Sequence, residues 1–511
     1  MIHAKREPLS RNVPTPPFFG TPARVLPICV DLDGTLVKTD LLLETFINVV
    51  KNDWVNLFRV PAWFFLGKAA AKEKLAKISS IDPATIPYNE KLLEYLKKER
   101  LNGGKIVLAT ASDQQIAGQI ALHLGIFDDV VASDGITNLK GEAKTKVLVE
   151  RYGERGFVYV GNSRTDLKVW QRANSAILVN TGRSIPKAAA ALCPVEGEFL
   201  DTKSSLQGLI KEARPHQWLK NLLVFISPMA AHLLFNPTTF FHTLLAFVVF
   251  CFAASGIYII NDLFDLETDR RHPRKRNRPF ASGDLPLQYG LAGPIFIGIA
   301  IALGSALSLE FILIVYVYVT LSLSYSQFLK TKPLVDVFCL ALLYTIRVVA
   351  GGVVAKSGVS IWLLNFSGFL FLSLGFLKRY AEYSISTNGE KIVLSSRRGY
   401  TEHDSLLIII MGVCSSFVST LVFAFYVNST QGVLAYKTAY LMWGIVPLVL
   451  FWQLRLWLAT VRGYMHDDPV VYAAKDKISY LVMAIVVVIY LLASLGLPPV
   501  FGYYFLGHAL S

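Results

Sequence analysis

The chain has 511 residues, of which 53% are hydrophobic and 17% charged, and its formal net charge is +13. This length allows two or three domains, and the apolar excess after about Trp218 excludes a single soluble domain. The five scattered cysteines form no CxxC pair, which excludes a disulfide framework and a zinc-ligand spacing. No basic stripe marks a nucleic-acid-binding fold, so the positive charge is assigned to membrane topology and to anionic substrates.

The N-terminal part is predicted to be a polar leader followed by a soluble domain. Residues 1–24 are polar and proline-rich without an apolar signal-peptide core, which indicates a disordered leader. In 25–205, short apolar runs alternate with helical stretches, and this alternation predicts a parallel α/β sheet. The five runs are 25–30, 105–110, 130–131, 157–160 and 176–179. Residues 41–100 are predicted to form a helical insert, and 206–213 a polar linker.

An aspartate pair follows the first predicted strand. In the sequence Asp31-Leu-Asp33-Gly34-Thr, the first carboxylate can attack phosphorus and form an aspartyl-phosphate. The second can act as acid and base, because a loop after a strand aims both side chains at one point. Gly34 allows the tight turn.

Three later positions complete a phosphate-handling pattern. Thr110 ends the second strand and can hydrogen-bond a phosphate, while Lys144 can neutralise the phosphoryl charge. The loop Gly161-Asn162-Ser-Arg-Thr-Asp166 can supply Mg²⁺ ligands.

In this order, the motifs resemble those of the haloacid dehalogenase-like (HAD) hydrolases over residues 25–205. The resemblance implies Asp31 as nucleophile, Asp33 as acid/base, and Asp31, Asp33 and Asp166 around Mg²⁺, under a cap formed by 41–100. The family usually has an acidic residue where this chain has Asn162, which offers oxygen without charge. The domain is therefore either a working phosphatase with weakened Mg²⁺ affinity or a degenerate one.

The second half, 214–511, contains about nine apolar segments of membrane-spanning length. They lie near 217–234, 238–261, 289–307, 309–327, 334–354, 361–377, 405–427, 436–458 and 479–497. Lys and Arg concentrate in the loops 262–288, 328–333, 378–404 and 459–478. Nine helices from a cytoplasmic N-terminus place all four loops, and the soluble domain, on the cytoplasmic side.

The second predicted membrane helix ends in an acidic motif, Asn261-Asp262-Leu-Phe-Asp265-Leu-Glu-Thr-Asp269. Spacings of three and four predict that one helical face presents the three carboxylates. Mg²⁺ prefers a few carboxylates together with phosphate oxygens, so this face is predicted to hold Mg²⁺-diphosphate. The basic run that follows, with Arg274, Lys275 and Arg278, can bind the remaining phosphate oxygens.

This motif, with Arg278-Pro and Ser282-Gly283 after it, resembles the UbiA superfamily of intramembrane prenyltransferases over residues 214–511. The resemblance implies a helical bundle with a lateral opening for a polyprenyl chain, and Asp262, Asp265 and Asp269 as Mg²⁺ ligands. Further positions resemble the decaprenyl-phosphate phosphoribosyltransferase branch. As substrate-binding candidates they are Lys220, Asn221, Asn261, Tyr325, Lys330, Asp336, Arg347, Lys378 and Arg379.

The expected architecture is therefore multidomain: an α/β Rossmannoid HAD-like domain, then an all-α polytopic bundle in the inner membrane. The resemblance implies Mg²⁺-dependent transfer of 5-phosphoribose from phosphoribosyl diphosphate to a polyprenyl phosphate, with the fused domain removing the 5-phosphate. Two alternatives stay open: an aromatic-acceptor prenyltransferase that uses a polyprenyl diphosphate, and a membrane-anchored phosphatase with a lipid-binding bundle. Lipid length and oligomeric state, including a homo-oligomer, also stay open.

Overall fold

The computed structural model describes residues 26–65, 67–201, 204–387, 399–465 and 468–496. The predicted leader 1–24 lies outside these ranges. The described residues form two compact units, one within 26–208 and 263–289 and the other within 209–262 and 290–496. The segment 263–289, although it follows the first long membrane helix, therefore groups with the N-terminal domain.

The first unit is built on a six-stranded parallel sheet with the strand order β3-β2-β1-β4-β5-β6. The strands are β1 (Ile28–Val30), β2 (Ile106–Asp113), β3 (Asp129–Ser133), β4 (Val158–Gly161), β5 (Ser175–Val179) and β6 (Val195–Phe199). The parallel α/β prediction is confirmed. The sequence pattern missed β6, because its residues at the sheet edge are half exposed and alternate with glutamates.

Eight helices belong to the N-terminal domain, and the first four fall within or at the end of the predicted insert 41–100. They are α1 (Leu41–Asn52), α2 (Asn56–Phe65), α3 (Lys68–Ile78), α4 (Glu90–Leu101), α5 (Gln114–Leu124), α6 (Glu142–Tyr152), α7 (Leu167–Trp170) and α8 (Ile185–Ala190). Two apolar clusters of buried side chains cover the sheet, because both faces of a parallel sheet must be buried.

The predicted linker 206–213 is helical. It forms α9 (Ser205–Ala213), whose apolar side chains recur on one face.

The remaining helices carry the membrane domain and its loops. They are α10 (Ile226–Ala230), α11 (Pro237–Phe264), α12 (Leu266–Arg271), α13 (Ala292–Gly304), α14 (Leu309–Gln327), α15 (Val335–Val354), α16 (Ile361–Thr387), α17 (Ser405–Asn428), α18 (Thr430–Ala435), α19 (Ile445–Val461), α20 (Pro469–Ala473) and α21 (Lys477–Leu495).

Among the described residues, eight helical segments are long and apolar enough to cross a membrane, by length and composition. Eight of the nine predicted segments match them. The first, 217–234, is not among these eight, because it forms a 3₁₀ helix (Pro215–Phe225) followed by the five-residue α10 instead of one long helix. The chain is a multi-pass membrane protein.

Candidate functional site

The aspartate pair of the N-terminal domain sits at the carboxyl end of the central strand. Asp31 follows β1, which pairs in parallel with β4 so that Val30 lies opposite Val160. This register brings the loop after β1 next to the loop after β4, which carries Asp166. The sheet therefore gathers the residues that the sequence placed far apart.

A chain of buried polar groups joins Asp31 to Asp166. The Lys144 ammonium donates to Asp31 Oδ1 at 2.7 Å and to the Tyr159 hydroxyl at 2.8 Å. The Tyr159 hydroxyl donates to Asp166 Oδ1 at 3.1 Å. Asp166 Oδ2 accepts from the Ser163 amide at 2.9 Å and from its hydroxyl at 2.7 Å. Lys144 is thus placed to neutralise the charge of Asp31.

Asp33 is held by different partners. Its Oδ1 accepts from the Leu41 amide at 2.8 Å, and its Oδ2 accepts from the Ser112 hydroxyl at 2.5 Å. Thr110 Oγ1 accepts from the Ser112 amide at 3.0 Å, which leaves its own hydroxyl proton for another acceptor. Thr110 is fully buried at the end of the strand.

Burial is the main reason that the pKa of Asp31 is raised to about 7; Lys144 opposes the shift, and the nearby carboxylates of Asp166 and Asp33 add to it. Burial likewise raises the pKa of Asp33, with Asp40 adding to the effect and Ser112 opposing it. Three carboxylates against the ammonium groups of Lys144 and, near Asp33, of Lys72 leave this site with an excess of negative charge.

The all-oxygen donor set and this excess of negative charge fit Mg²⁺. Within the described ranges, no three His, Cys, Asp or Glu side chains are grouped closely enough to hold a metal by themselves. In proteins, water and substrate phosphate supply much of the coordination shell of Mg²⁺. When bound, the ion would offset the charge that repels an anionic phosphate ester.

Asn162 lies against the aspartate loop. Gly34 has φ +70°, and a Cβ placed there would come within 2.2 Å of Asn162 Nδ2. The amide therefore faces the turn between Asp33 and Leu36, where the acidic residue of the related family would add a charge.

The acidic motif of the membrane domain is divided by a break in the helix. The helix α11 ends at Phe264, and Asp265 (φ −96°, ψ 8°) separates it from α12. The prediction of one continuous helical face is therefore wrong. Repulsion among three closely spaced carboxylates disfavours an unbroken helix.

In the second unit, the first aspartate of this motif is held by an arginine. Asp262 is buried, and both its oxygens accept from Arg214 Nη2, at 2.6 and 2.5 Å. The neighbouring Asn261 Oδ1 is buried and has no hydrogen-bond partner within the described part of the chain. That oxygen is suited to bind a cation or a substrate hydroxyl.

The segment 263–289 carries the other two aspartates and the basic run. Asp269 is buried and is paired with Arg278, and its Oδ1 lies 4.0 Å from the Lys275 ammonium. Asp265 is half-buried, whereas Arg274 is exposed. Two of the three predicted phosphate-binding cations therefore lie beside a carboxylate of the acidic motif.

The bundle contains a second cationic cluster. Asp468 Oδ2 accepts from the Lys220 ammonium at 2.6 Å and from the Lys378 ammonium at 3.2 Å. Burial would raise the pKa of Asp468, but these two ammonium groups hold it below its usual value. One carboxylate between two lysines leaves an excess positive charge, and the ring of Tyr344 lies 5.6 Å from Lys220 Nζ.

Arg347 is buried within α15. Its Nε donates to Asn221 Oδ1 at 2.9 Å, and its Nη2 donates to the Tyr318 hydroxyl at 2.8 Å. Within the described ranges its partners are neutral, so its charge is uncompensated by a carboxylate. Asp336, which shares its helix, has other partners.

A third group joins Tyr325, Asp336 and Arg379. Arg379 pairs with Asp336, and its Nη2 donates to the Tyr325 hydroxyl at 2.7 Å. Asp336 also accepts from the Tyr400 hydroxyl at 2.8 Å. Lys330 is half-buried in the 3₁₀ turn Leu329–Thr331.

The sequence interpretation did not assign Tyr159, Ser112, Arg214 or Asp468 to a site. Arg214 opens the sequence Arg214-Pro-His-Gln-Trp-x-Lys-Asn221 at the start of the bundle, but nothing in that sequence distinguishes Arg214 as the partner of Asp262. Asp468 follows another aspartate in a charged loop, and only the fold selects it.

Known proteins match both halves of the chain. The UbiA prenyltransferase family model matches residues 222–463, and the haloacid dehalogenase-like hydrolase model matches residues 28–171. The uncharacterized protein y4nM of Sinorhizobium fredii is 36% identical over 477 residues, which cover 92% of this chain and 91% of that protein.

A decaprenyl-phosphate phosphoribosyltransferase of Mycolicibacterium smegmatis is 32% identical over 285 residues, or 54% of this chain and 89% of that protein. The structure of a UbiA homolog from Archaeoglobus fulgidus bound to DMAPP and Mg²⁺ aligns with a TM-score of 0.44 and 18% identity, covering 55% of this chain and 98% of that one. On the two family matches and the curated relative that is 32% identical, the chain belongs to the UbiA prenyltransferase family and is an enzyme that joins this membrane domain to an N-terminal haloacid dehalogenase-like hydrolase domain.

Proposed function

We propose that the membrane domain transfers 5-phosphoribose from phosphoribosyl diphosphate to a polyprenyl phosphate, and that the fused domain then hydrolyses the 5-phosphate of the product. The observation that carries this proposal is the excess positive charge buried in the bundle by Lys220, Lys378 and Arg347 against the carboxylate of Asp468. An acceptor that is itself an anion requires such charge, in addition to the cations beside Asp269.

In the transfer step, the bond between ribose C1 and the diphosphate breaks as a polyprenyl phosphate oxygen bonds to C1. Lys275 and Arg278 are placed to bind the departing diphosphate, and Mg²⁺ supplies further charge neutralisation when bound. The acceptor is already ionised, so no general base is needed. The likeness of this chain to named decaprenyl-phosphate phosphoribosyltransferases supports this chemistry.

In the hydrolytic step, Asp31 attacks the 5-phosphate while Asp33 donates a proton to the departing ribose oxygen. The aspartyl-phosphate is then attacked by water, whose proton returns to Asp33, and inorganic phosphate leaves. The Ser112 hydroxyl and the Leu41 amide orient Asp33 for both transfers, and Lys144 reduces the repulsion between Asp31 and the incoming ester.

The charged loops of the bundle and the need for soluble phosphorylated donors favour an inner-membrane location with the hydrolase domain on the cytoplasmic side. The same side would then carry both reactions, so that the product of the first is available to the second.

A donor panel tests the transfer directly. Purified full-length enzyme in nanodiscs receives decaprenyl phosphate and either phosphoribosyl diphosphate or a polyprenyl diphosphate, and diphosphate release is measured. We expect release from the ribosyl donor only, and a loss of about 10³-fold in Asp265→Ala, since the variant lacks a Mg²⁺-binding carboxylate. Release from the prenyl donor with an aromatic acceptor would favour the quinone-type alternative, and full activity in Asp265→Ala would refute the proposed site.

A further inference from the structure

The first arginines of the basic run bind protein carboxylates. Arg270 donates from Nη2 to Glu44 Oε1 at 2.5 Å and from Nη1 to Glu44 Oε2 at 3.1 Å, and its Nε donates to the Ala281 carbonyl at 3.0 Å. The two side chains are only 7% and 6% exposed. Arg270 is therefore held by the HAD-like domain and differs from Lys275 and Arg278, which lie beside Asp269.

The ion pair of Arg270 with Glu44 is buried and has a specific, bidentate geometry. A buried guanidinium and carboxylate are costly to remove from water, and they are tolerated where their geometry is bidentate and their other donors are satisfied, as here. The neighbouring pair of Arg271 with Asp82, at 2.9 Å, is a useful contrast because its side chains are 51% and 40% exposed. Such a solvated ion pair contributes little to the stability of the fold.

The pair lies close in sequence to residues of both candidate sites in this unit, the one with Asp33 and the one with Asp269. Glu44 lies one turn after Leu41, whose amide binds Asp33. Arg270 adjoins Asp269 on α12. Farther along the same segment, Gly283 has φ +74° and sits so close to the domain that a Cβ would approach Lys38 Cβ to 2.6 Å.

We propose that Glu44 and Arg270 are positioning residues through which the hydrolase domain holds the loop that carries Asp269 in its working conformation. The hydrolase domain is then a structural part of the transferase, besides being a second enzyme. This inference rests on the proposed function, because it assigns Asp269 to Mg²⁺-diphosphate binding.

The test compares Glu44→Gln with Asp82→Asn in the full-length enzyme. The measured quantity is the Mg²⁺ concentration that gives half-maximal diphosphate release from phosphoribosyl diphosphate, with hydrolysis of a small aryl phosphate followed in the same preparations. We expect this Mg²⁺ concentration to rise at least tenfold in Glu44→Gln and to change less than twofold in Asp82→Asn. Aryl phosphate hydrolysis should stay within twofold of the parent in both variants. Arg270→Lys keeps the charge but loses the bidentate contact, so its half-maximal Mg²⁺ concentration should lie between those of the other two variants.

The outcomes separate two kinds of failure. If the parent enzyme releases no diphosphate from this donor, or Asp265→Ala is fully active, the proposed function is wrong. If the parent is active and Asp265→Ala is not, an unchanged Mg²⁺ requirement in Glu44→Gln overturns the positioning role alone. A parallel loss of both activities in Glu44→Gln and Arg270→Lys also overturns it, because the pair would then serve only the stability of the domain.

Discussion

The hydrolase site and the bundle site solve opposite electrostatic problems. In the hydrolase domain, the carboxylates of Asp31, Asp33 and Asp166 outnumber the nearby ammonium groups of Lys144 and Lys72, and the site has an excess of negative charge. In the bundle, Asp468 is shared by two lysines, and Arg347 has neutral partners among the described residues. The first site is suited to attract a cation before it accepts a phosphate ester, and the second is suited to receive an anion directly.

This comparison predicts that the stability of the bundle depends strongly on the carboxylate of Asp468, which Lys220 and Lys378 share. In Asp468→Asn, two buried ammonium groups would face each other without a counter-charge, and removing one partner of a buried ion pair typically costs about 3–5 kcal/mol. We expect a clear fall in the thermal unfolding midpoint of the detergent-solubilised protein, with Glu310→Gln, an exposed position, as the control. An unchanged midpoint would mean that water screens the lysines, and the contrast between the two sites would lose its basis.

A smaller effect is expected from pH in the hydrolase site. The pKa of Asp31 is raised from 3.8 to about 7, so its carboxylate is largely protonated below pH 7 and ionised above it. Since a proton and Mg²⁺ compete for that carboxylate, the Mg²⁺ concentration for half-maximal aryl phosphate hydrolysis should rise about tenfold per pH unit below 7. It should level off above pH 7.

The stability of the metal-free protein depends on pH in the opposite direction to Mg²⁺ binding. Without metal, a raised carboxyl pKa favours the folded state at low pH, and this contribution is lost as pH rises from about 4 through 7. Mg²⁺ should therefore raise the unfolding temperature more at pH 8 than at pH 5.5. A Mg²⁺ requirement that is flat from pH 5.5 to 8 would show that Asp31 titrates at its ordinary value.

The smallest effect concerns Asn162, whose amide lies against Gly34. Asn162→Asp adds a carboxylate to the site that we propose binds Mg²⁺, so we expect the half-saturating Mg²⁺ concentration to fall about three- to tenfold. Mg²⁺ titration of aryl phosphate hydrolysis measures this, with Asn174→Asp as a control on the same domain. A higher Mg²⁺ requirement in Asn162→Asp would argue that Asn162 orders the loop by its amide.

The sequence predicted best those parts of the fold that are determined by local sequence patterns. Strand periodicity and the Asp31-x-Asp33 motif led to the parallel sheet, and apolar length led to eight spans. It failed where tertiary context decides: the segment 217–234 was predicted as one apolar helix, but it forms a 3₁₀ helix followed by a short α-helix. The helix break at Asp265 was likewise invisible to spacing alone.

For the candidate site, spacing identified residue types better than it identified partners. Lys220, Asn221, Arg347 and Lys378 were selected separately, and the structure groups them through Asp468 and Tyr344. Their partners come from chain segments up to 248 residues away, as in the contact of Lys220 with Asp468, and no local pattern encodes such a distance. The same holds for Glu44 and Arg270, which are separated by 226 positions.

The mass of the lipid product tests the central claim most directly. Parent enzyme and Asp31→Asn are each incubated with phosphoribosyl diphosphate, decaprenyl phosphate and Mg²⁺, and the extracted lipids are analysed by mass spectrometry. The account predicts lipid-phosphoribose from the parent and the same lipid still carrying its 5-phosphate from Asp31→Asn. A lipid without added ribose would contradict the transfer, and identical dephosphorylated products from both enzymes would contradict the coupled hydrolysis.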